Sequence, residues 1–397
     1  MAICDNSVKT ILYTSASASA QSGAYRILID MFRGIRSRRF EAVLALPYSG
    51  DKFPLLSTVE LQQTYKLSPK PASKNRLKTY VLLVQQNWRL VRELVRIIKQ
   101  ENISIVHVNE IFDIYGAVAA RLTGAKCLWN VRAELSAWPI LNYMLPFIVS
   151  YLADSIVVAS ESVRQNTFDR PGIDQDKIKI IYDPGFDVNE FHPNVNGGSV
   201  RANLGISDKA PIILMVAKLA KRKGHELLIG AVPHLLKKHP DAQFVFVGGE
   251  LDGEHHQRYA ANLRRQVELA GLIGHVVWAG YQGNIPEVMA ASDIIIHCST
   301  YPDPFPGVVL QGMAVGKPVV APNLGGPKEQ IEHNVTGILI KPNCSISIAE
   351  ALDELLSDQE KRNRLGLAAS HSIQTSFDFE HYFEKLASEY ESLLSMR

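Results

Sequence analysis

Short apolar runs of strand length alternate with longer stretches whose apolar residues recur every three or four positions, and the alternation falls into two blocks. The first block predicts strands at 8–13, 42–46, 103–109, 125–130, 155–159 and 178–181. The second predicts them at 212–217, 244–248, 276–279, 294–297, 318–321 and 337–340. Strands this uniformly apolar, separated by helix-length segments, indicate parallel sheets covered on both faces. Between the second and third strands Leu77, Val81, Val84, Trp88, Val91, Val95 and Ile98 form one apolar stripe, which predicts a long helix packed on a sheet. A polar, glycine-bearing stretch at 194–209 is the linker candidate, giving domains at 1–195 and 196–375 and a final helix at 376–397 expected to pack back toward the N-terminal domain.

Two strand ends carry polar groups that an ordinary core does not need. The strand ending at His297 runs into a turn with Pro302, Pro304 and Pro306, then into a helix starting at Gly307. The unpaired amides of Gly307, Val308 and Val309 at that helix end, with its dipole, make an anion site. Asp303 precedes the helix and Gln311 lies one turn inside it. About 80 residues earlier the strand at 212–217 runs into Lys218, Lys221, Arg222 and Lys223, then Gly224 and another helix. Cations at a strand's carboxyl end sit where open α/β sheets bind ligands. Taken singly, the two features also read as a plain βα turn and a solvated charge run.

Together they resemble the carboxyl-terminal half of the retaining family 4 glycosyltransferases of GT-B fold. That family has a strand followed by GRL and KG, later EPFG with a second Glu eight positions after the first, then EAMA, GKPVV and GG. The resemblance implies an α/β GT-B architecture, two Rossmann-like doubly wound parallel-sheet domains with an interdomain cleft. It places Lys218 and Lys223 on a donor diphosphate, Asp303 on the donor sugar and Gln311 on the ribose. Gly316, Lys317, Pro318, Val319, Val320, Gly325 and Gly326 match the tail of the motif. Pro306, Gly307 and Val308 become donor-binding, as do Gly23, the one glycine kept of a family pair, and Tyr281, Gln282 and Ile285, where the family reads the base through backbone atoms. Ser22 and Glu110 are acceptor-side candidates, Ser22 also being a plausible helix cap.

The chain departs from the family at informative positions. Asp303 is one methylene shorter than the family's Glu, and Gln311 keeps an acceptor, gains two donors and loses the charge. Arg132 stands where the family often has His; its expected role is electrostatic, on a donor phosphate or anionic acceptor, or else a structural ion pair with Glu134 or another carboxylate. Asp183 replaces the Asn of the family's domain-border segment, a structural position. Asp174, Gln175 and Asp176 spell DxD in a turn where Asp is expected anyway. No catalytic metal and no cofactor beyond the nucleotide sugar is therefore expected. Retention of configuration is implied by the resemblance alone.

Composition is compatible with this reading: 397 residues, 46% of them apolar, can fill two cores. Cys4, Cys127, Cys298 and Cys344 show no metal or disulfide spacing, which suits a reducing, cytoplasmic compartment. Residues 1–100 hold 16 Lys and Arg against 6 Asp and Glu, a local +10 in a chain of net +2. With the uncharged segment 135–153, interrupted by Pro139 and Pro146, this suggests peripheral contact with the inner membrane face and a saccharide or lipid-linked acceptor. For 135–153 itself the leading reading is two short buried helices, each opening with a proline, and the bilayer interface is the alternative. No nucleic-acid motif accompanies the basic region. The expected function is sugar transfer from a nucleoside-diphosphate sugar in cell-surface polysaccharide or glycoconjugate synthesis. The alternative is a catalytically weak or inactive relative that scaffolds an assembly complex. A dinucleotide oxidoreductase is disfavoured, because VFVGGELDG lacks the required glycine spacing.

Overall fold

The computed structural model describes residues 9–14, 23–36, 38, 40–47, 63–67, 76–132, 139–251 and 253–396. The chain forms two compact units, Met1–Asp183 with Phe379–Arg397, and Pro184–Asp378. The boundary thus falls at Pro184, and the 194–209 stretch expected as a linker belongs to the second unit and carries a helix with Val200 buried.

In the first unit, strands β1 (Lys9–Thr14), β2 (Phe40–Pro47), β3 (Gln63–Leu67), β4 (Ile105–Val108), β5 (Lys126–Val131), β6 (Ser155–Val158) and β7 (Ile178–Ile180) form one sheet in the order β3-β2-β1-β4-β5-β6-β7. Every neighbouring pair is parallel. The helices are α1 (Gly23–Arg36), α2 (Arg76–Gln100), α3 (Ile114–Thr123), α4 (Pro139–Leu152) and α5 (Glu161–Val163). Alternate residues of β1 serve opposite cores: Ile11 and Tyr13 pack with Leu28, Met31 and Ile35 of α1, whereas Leu12 packs with Leu90, Leu94 and Ile98 of α2. On α2 the expected Val91 and Ile98 are buried and Val95 packs against the core beside Leu90, Leu94 and Ile97, whereas Trp88 is 54% exposed. Pro146 lies inside a single continuous α4 rather than opening a second helix, and Tyr143, Met144 and Tyr151 of that helix face solvent. No described helix is long and apolar enough to cross a membrane.

In the second unit, β8 (Ile212–Val216), β9 (Gln243–Val247), β10 (Val276–Gly280), β11 (Ile294–Ile296), β12 (Val319–Pro322) and β13 (Ile338–Ile340) form a parallel sheet in the order β10-β9-β8-β11-β12-β13. Around it lie α6 (Gly198–Asn203), α7 (His225–Leu236), α8 (Glu254–Leu269), α9 (Ile285–Ala291), α10 (Gly307–Ala314), α11 (Pro327–Gln330), α12 (Ser345–Ser357) and α13 (Gln359–Ser376). Met215, Phe244, Phe246 and Ile296 pack one sheet face against Leu228 of α7, Leu263 of α8 and Leu352 of α12. The strand order reverses between β1 and β4 in one unit and between β8 and β11 in the other, the places where doubly wound sheets open a crevice for ligands.

The last helix, α14 (Phe379–Ser395), completes the first unit. Its Phe383 lies where a Cβ on Gly34 of α1 would stand, 2.1 Å from the ring. Its Tyr390 is fully buried, with the hydroxyl 3.0 Å from that of Tyr13 and 2.6 Å from Nδ1 of His107. Burial, aided by the charge of Arg132, holds the His107 imidazole well below its ordinary pKa, so it stays neutral in this network. Tyr390→Phe strands both the Tyr13 hydroxyl and the His107 nitrogen, and is expected to cost about 1–3 kcal/mol in urea unfolding; an unchanged midpoint would show that the contact carries no stability.

Candidate active site

The second unit's reversal point brings three loops together. After β8 the chain passes Lys218, makes a tight turn at Lys221–Lys223 and starts α7 from Gly224, whose φ of +73° is a left-handed conformation. A Cβ on Gly224 would stand 2.0 Å from the Cys298 carbonyl oxygen, so only glycine lets the two loops approach this closely. The Arg222 carbonyl accepts from Thr300 N at 2.9 Å, Thr300 Oγ1 at 3.2 Å and Ser299 Oγ at 3.1 Å, which welds the turn after β8 to the turn after β11. From the other side, Gly326 N donates to the Asp303 carbonyl at 2.8 Å, and a Cβ on Gly325, at φ +68°, would lie 2.6 Å from the same oxygen. The glycine pair therefore fixes the backbone of Asp303.

Lys223 Nζ forms an ion pair with the Asp303 carboxylate, and both side chains are largely shielded. Burial pushes the Asp303 carboxyl up, but Lys223 opposes it and the net position is below the usual range. Lys218, half-buried, is lowered first by burial and then by the neighbouring Arg222 and Lys223 charges. Lys223 thus pairs with Asp303 and Arg222 acts on it through its charge, while Lys218 and Lys221 stand on the same loop. The α10 N-terminus supplies further positive potential: its N-cap is Pro306, no side chain caps it, and its first residue is Gly307. Val308 follows half-buried in the first turn, and Val309 points into the core. The loop and the helix end both carry positive potential.

Gln311 holds a place that the family's Glu could not hold in the same way. Its Nε2 donates to the Gly185 carbonyl at 2.8 Å. Gly185 itself presses on α10, where a Cβ would lie 2.8 Å from Leu310 and 3.0 Å from Gly307 Cα. The amide therefore anchors the segment that enters this unit and leaves Oε1 as its acceptor.

The remaining expected residues are placed as follows. Tyr281 is 73% exposed in the turn after β10, Gln282 Nε2 donates to the Ala279 carbonyl at 2.7 Å, and Ile285 opens α9. In the first unit Gly23 opens α1 after β1, and Glu110 follows β4, its carbonyl accepting from Trp129 Nε1 at 3.0 Å; these two flank that unit's reversal point. Ser22 and Glu134 lie outside the described residues. Of the two roles expected for Arg132, the structure shows the ion pair with a carboxylate. Its Nε contacts both Asp183 carboxylate oxygens at 2.8 Å, NH1 donates to Asn109 Oδ1, and NH2 reaches Tyr382 Oη at 3.1 Å and Met31 Sδ at 3.5 Å. With its side chain only 10% exposed, Arg132 is a structural ion-pair partner rather than a phosphate grip. Cys298 is a buried thiol pushed up by its surroundings, as a core residue is.

One residue of the site escaped the sequence reading. His297, the polar end of an all-isoleucine strand, is 3% exposed, and its Nε2 lies 3.6 Å from Asp303 Oδ2. Its only legible signal was a histidine closing an apolar run.

Two family models match adjoining stretches of the chain: "Glycosyltransferase Family 4" over residues 22–189 and "Glycosyl transferases group 1" over residues 199–372. The chain is a group 1 glycosyltransferase of GT-B fold. Among curated relatives of this glycosyltransferase, the Bacillus subtilis protein YtcC is 30% identical over 249 residues, 60% of either chain. Spore coat protein SA of the same organism is 28% identical over 305 residues, 74% of this chain and 80% of its own. The match thus spans three-fifths of YtcC's length. The crystal structure of HepE from Anabaena in complex with UDP and glucose superposes with a TM-score of 0.83 at 25% identity, covering 97% of this chain and all of that one. HepE has also been crystallised with UDP-glucose, with a TM-score of 0.82.

Restoring the family's carboxylate at position 311 would set an acceptor-only group 2.8 Å from the Gly185 carbonyl. Gln311→Glu is therefore expected to lower stability by about 1–3 kcal/mol, as read by thermal unfolding; an unchanged midpoint would show that the Gly185 contact carries no stability.

Proposed function

We propose that the chain transfers a sugar from a nucleoside-diphosphate sugar to a saccharide or lipid-linked acceptor with retention of configuration, in cell-surface polysaccharide or glycoconjugate synthesis. The observation that carries this reading is the ion pair that joins Lys223 to Asp303, four residues before the start of the uncapped α10, at the reversal of strand order. The HepE complexes with UDP and UDP-glucose support a nucleotide-sugar donor.

In the reaction the acceptor hydroxyl oxygen bonds to the anomeric carbon while the bond from that carbon to the diphosphate oxygen breaks, its electron pair staying on the diphosphate, which also takes up the hydroxyl proton. Lys218, Lys223 and the first amides of α10 oppose the negative charge that accumulates there, at fixed positions that need no reorganisation. Charge stabilisation by these groups takes the place of a metal ion in this proposal, and no cofactor beyond the donor is invoked. Asp303 holds a donor-sugar hydroxyl, Gln311 Oε1 a ribose hydroxyl, and the backbone at Tyr281, Gln282 and Ile285 the base. The attack from the face that the leaving group vacates rests on family resemblance. A second reading, a binding scaffold with little turnover, is favoured by the commitment of Arg132 to Asp183. Release of nucleoside diphosphate from donor alone separates the two.

The donor reading is tested by thermal unfolding with UDP, GDP, ADP and their glucose conjugates. A bound ligand at a hundred times its dissociation constant adds about 2.7 kcal/mol. At least one pair is expected to stabilise the wild type, and Lys223→Met to abolish that shift. No shift with any of the six overturns the reading.

For a lipid-linked acceptor we propose peripheral membrane contact at the cytoplasmic face through the α4 surface. There Tyr143, Met144 and Tyr151 are exposed, Leu122 at the end of α3 is exposed as well, and the Arg121 guanidinium lies 5.4 Å over the Tyr151 ring. Aromatic rings beside a cation suit the headgroup level. Co-sedimentation with anionic phosphatidylglycerol vesicles is expected, and Tyr143→Ser with Tyr151→Ser should reduce it severalfold; equal sedimentation of the two proteins would remove the proposal.

A further inference from the structure

His297 continues the β11 line, its backbone N–H donating to the Val320 carbonyl at 2.8 Å, and its ring is buried behind the site. Nε2 has no hydrogen-bond partner and faces Asp303 Oδ2 at 3.6 Å, beyond hydrogen-bonding reach. The same Oδ2 is the oxygen that Lys223 Nζ contacts. One carboxylate oxygen thus has two prospective partners, a charged one now engaged and a neutral one less than an ångström short.

The site as built cannot keep that arrangement once a diphosphate is present. The Lys223 ammonium is then drawn to a ligand with more negative charge than Asp303 carries, and a shielded carboxylate that loses its partner is costly. The Asp303 backbone is fixed by Gly326, so only the side chain can respond. A small rotation of the carboxylate closes the gap to Nε2. An uncharged imidazole is the suitable second partner, because a further cation would repel Lys218, Arg222 and Lys223. Burial supplies that neutrality by drawing the His297 pKa down to about 4.

We propose that His297 is a positioning residue for Asp303: its Nε2–H takes over Oδ2 when Lys223 turns to the donor diphosphate, and holds the carboxylate toward the donor sugar. This rests on the donor-site reading above. His297 therefore matters for the sugar portion of the donor and not for the nucleoside diphosphate.

The experiment compares wild type, His297→Ala, His297→Gln, Asp303→Asn and the Ala/Asn double variant. Binding of UDP, GDP and ADP is measured against that of their glucose conjugates by calorimetry, with kcat and KM for donor hydrolysis, after thermal unfolding confirms folding. In His297→Ala, affinity for the free diphosphate is expected to stay within twofold while the sugar conjugate loses tenfold or more in kcat/KM. Glutamine, whose amide reaches about as far as Nε2, restores it to within threefold. In the Asp303→Asn background, removal of His297 adds less than twofold. Equal losses for diphosphate and conjugate, no rescue by glutamine, or an undiminished effect beside Asp303→Asn each overturn the proposal. If His297→Ala does not fold, His297→Leu, which also lacks a donor, takes its place alone and combined with Asp303→Asn, with glutamine still the rescue. Wild-type protein that binds none of the six ligands overturns the donor-site reading itself, and this proposal with it.

Discussion

The ion pair between Lys223 and Asp303 organises the second unit's functional end, because it joins loops from two strands that are neighbours in the sheet yet lie 80 residues apart in sequence. Parallel topology makes this possible: strands running the same way present all their carboxyl ends on one edge, and the reversal of order at β8 and β11 parts the following helices there. The backbone around the pair holds its two loops together. Gly224 allows the approach, the Arg222 carbonyl gathers three donors, and Gly325 with Gly326 closes around the Asp303 backbone. Such a contact is more than a surface salt bridge, whose worth is typically below about 1 kcal/mol, since both partners are screened from water and set between further charges.

Much of this was legible in the sequence, and the exceptions have identifiable causes. Twelve strands were readable because parallel, doubly covered strands are continuous apolar runs. β3 was not, because QTYKL is an edge strand exposed along most of its length and carries no such signature. Trp88 was assigned inward by its spacing, but the core on α2 is filled by Val91 and Ile98 of the same stripe together with Leu90, Leu94 and Ile97, and Trp88 is left exposed. Pro146 suggested a break, yet a helix tolerates proline where packing on both sides compensates the lost bond, and here Leu145 and Val149 are fully buried beside it. The stretch at 194–209 looked like a linker by composition, while its burial against α9 depends on contacts no local pattern encodes.

Within the site, positions fixed by backbone geometry were readable and positions fixed by partners were not. Glycine spacing and a cationic turn announce a loop that accepts an anion, whichever side chains pair within it. That Arg132 would find Asp183, 51 residues on, required the fold. So did the role of Gln311, whose departure from a carboxylate reads as a loss of charge in sequence and as a gained donor to Gly185 in three dimensions. His297 was missed because a single histidine ending an apolar strand is ordinarily core.

Tyr13 and Tyr390 share a hydrogen bond across 377 residues of chain. During synthesis at roughly 5–20 residues per second, the first sheet therefore waits about 20 to 75 s for the helix that finishes its core. Until then the cluster of Ile11, Tyr13, Leu28 and Met31 lacks the Tyr382, Phe383, Leu386 and Tyr390 side chains that complete it, while the intervening unit emerges from the ribosome and folds. The nascent chain thus has a natural claim on chaperones, and maturation of its amino-terminal half is timed by the translation of a helix encoded far downstream.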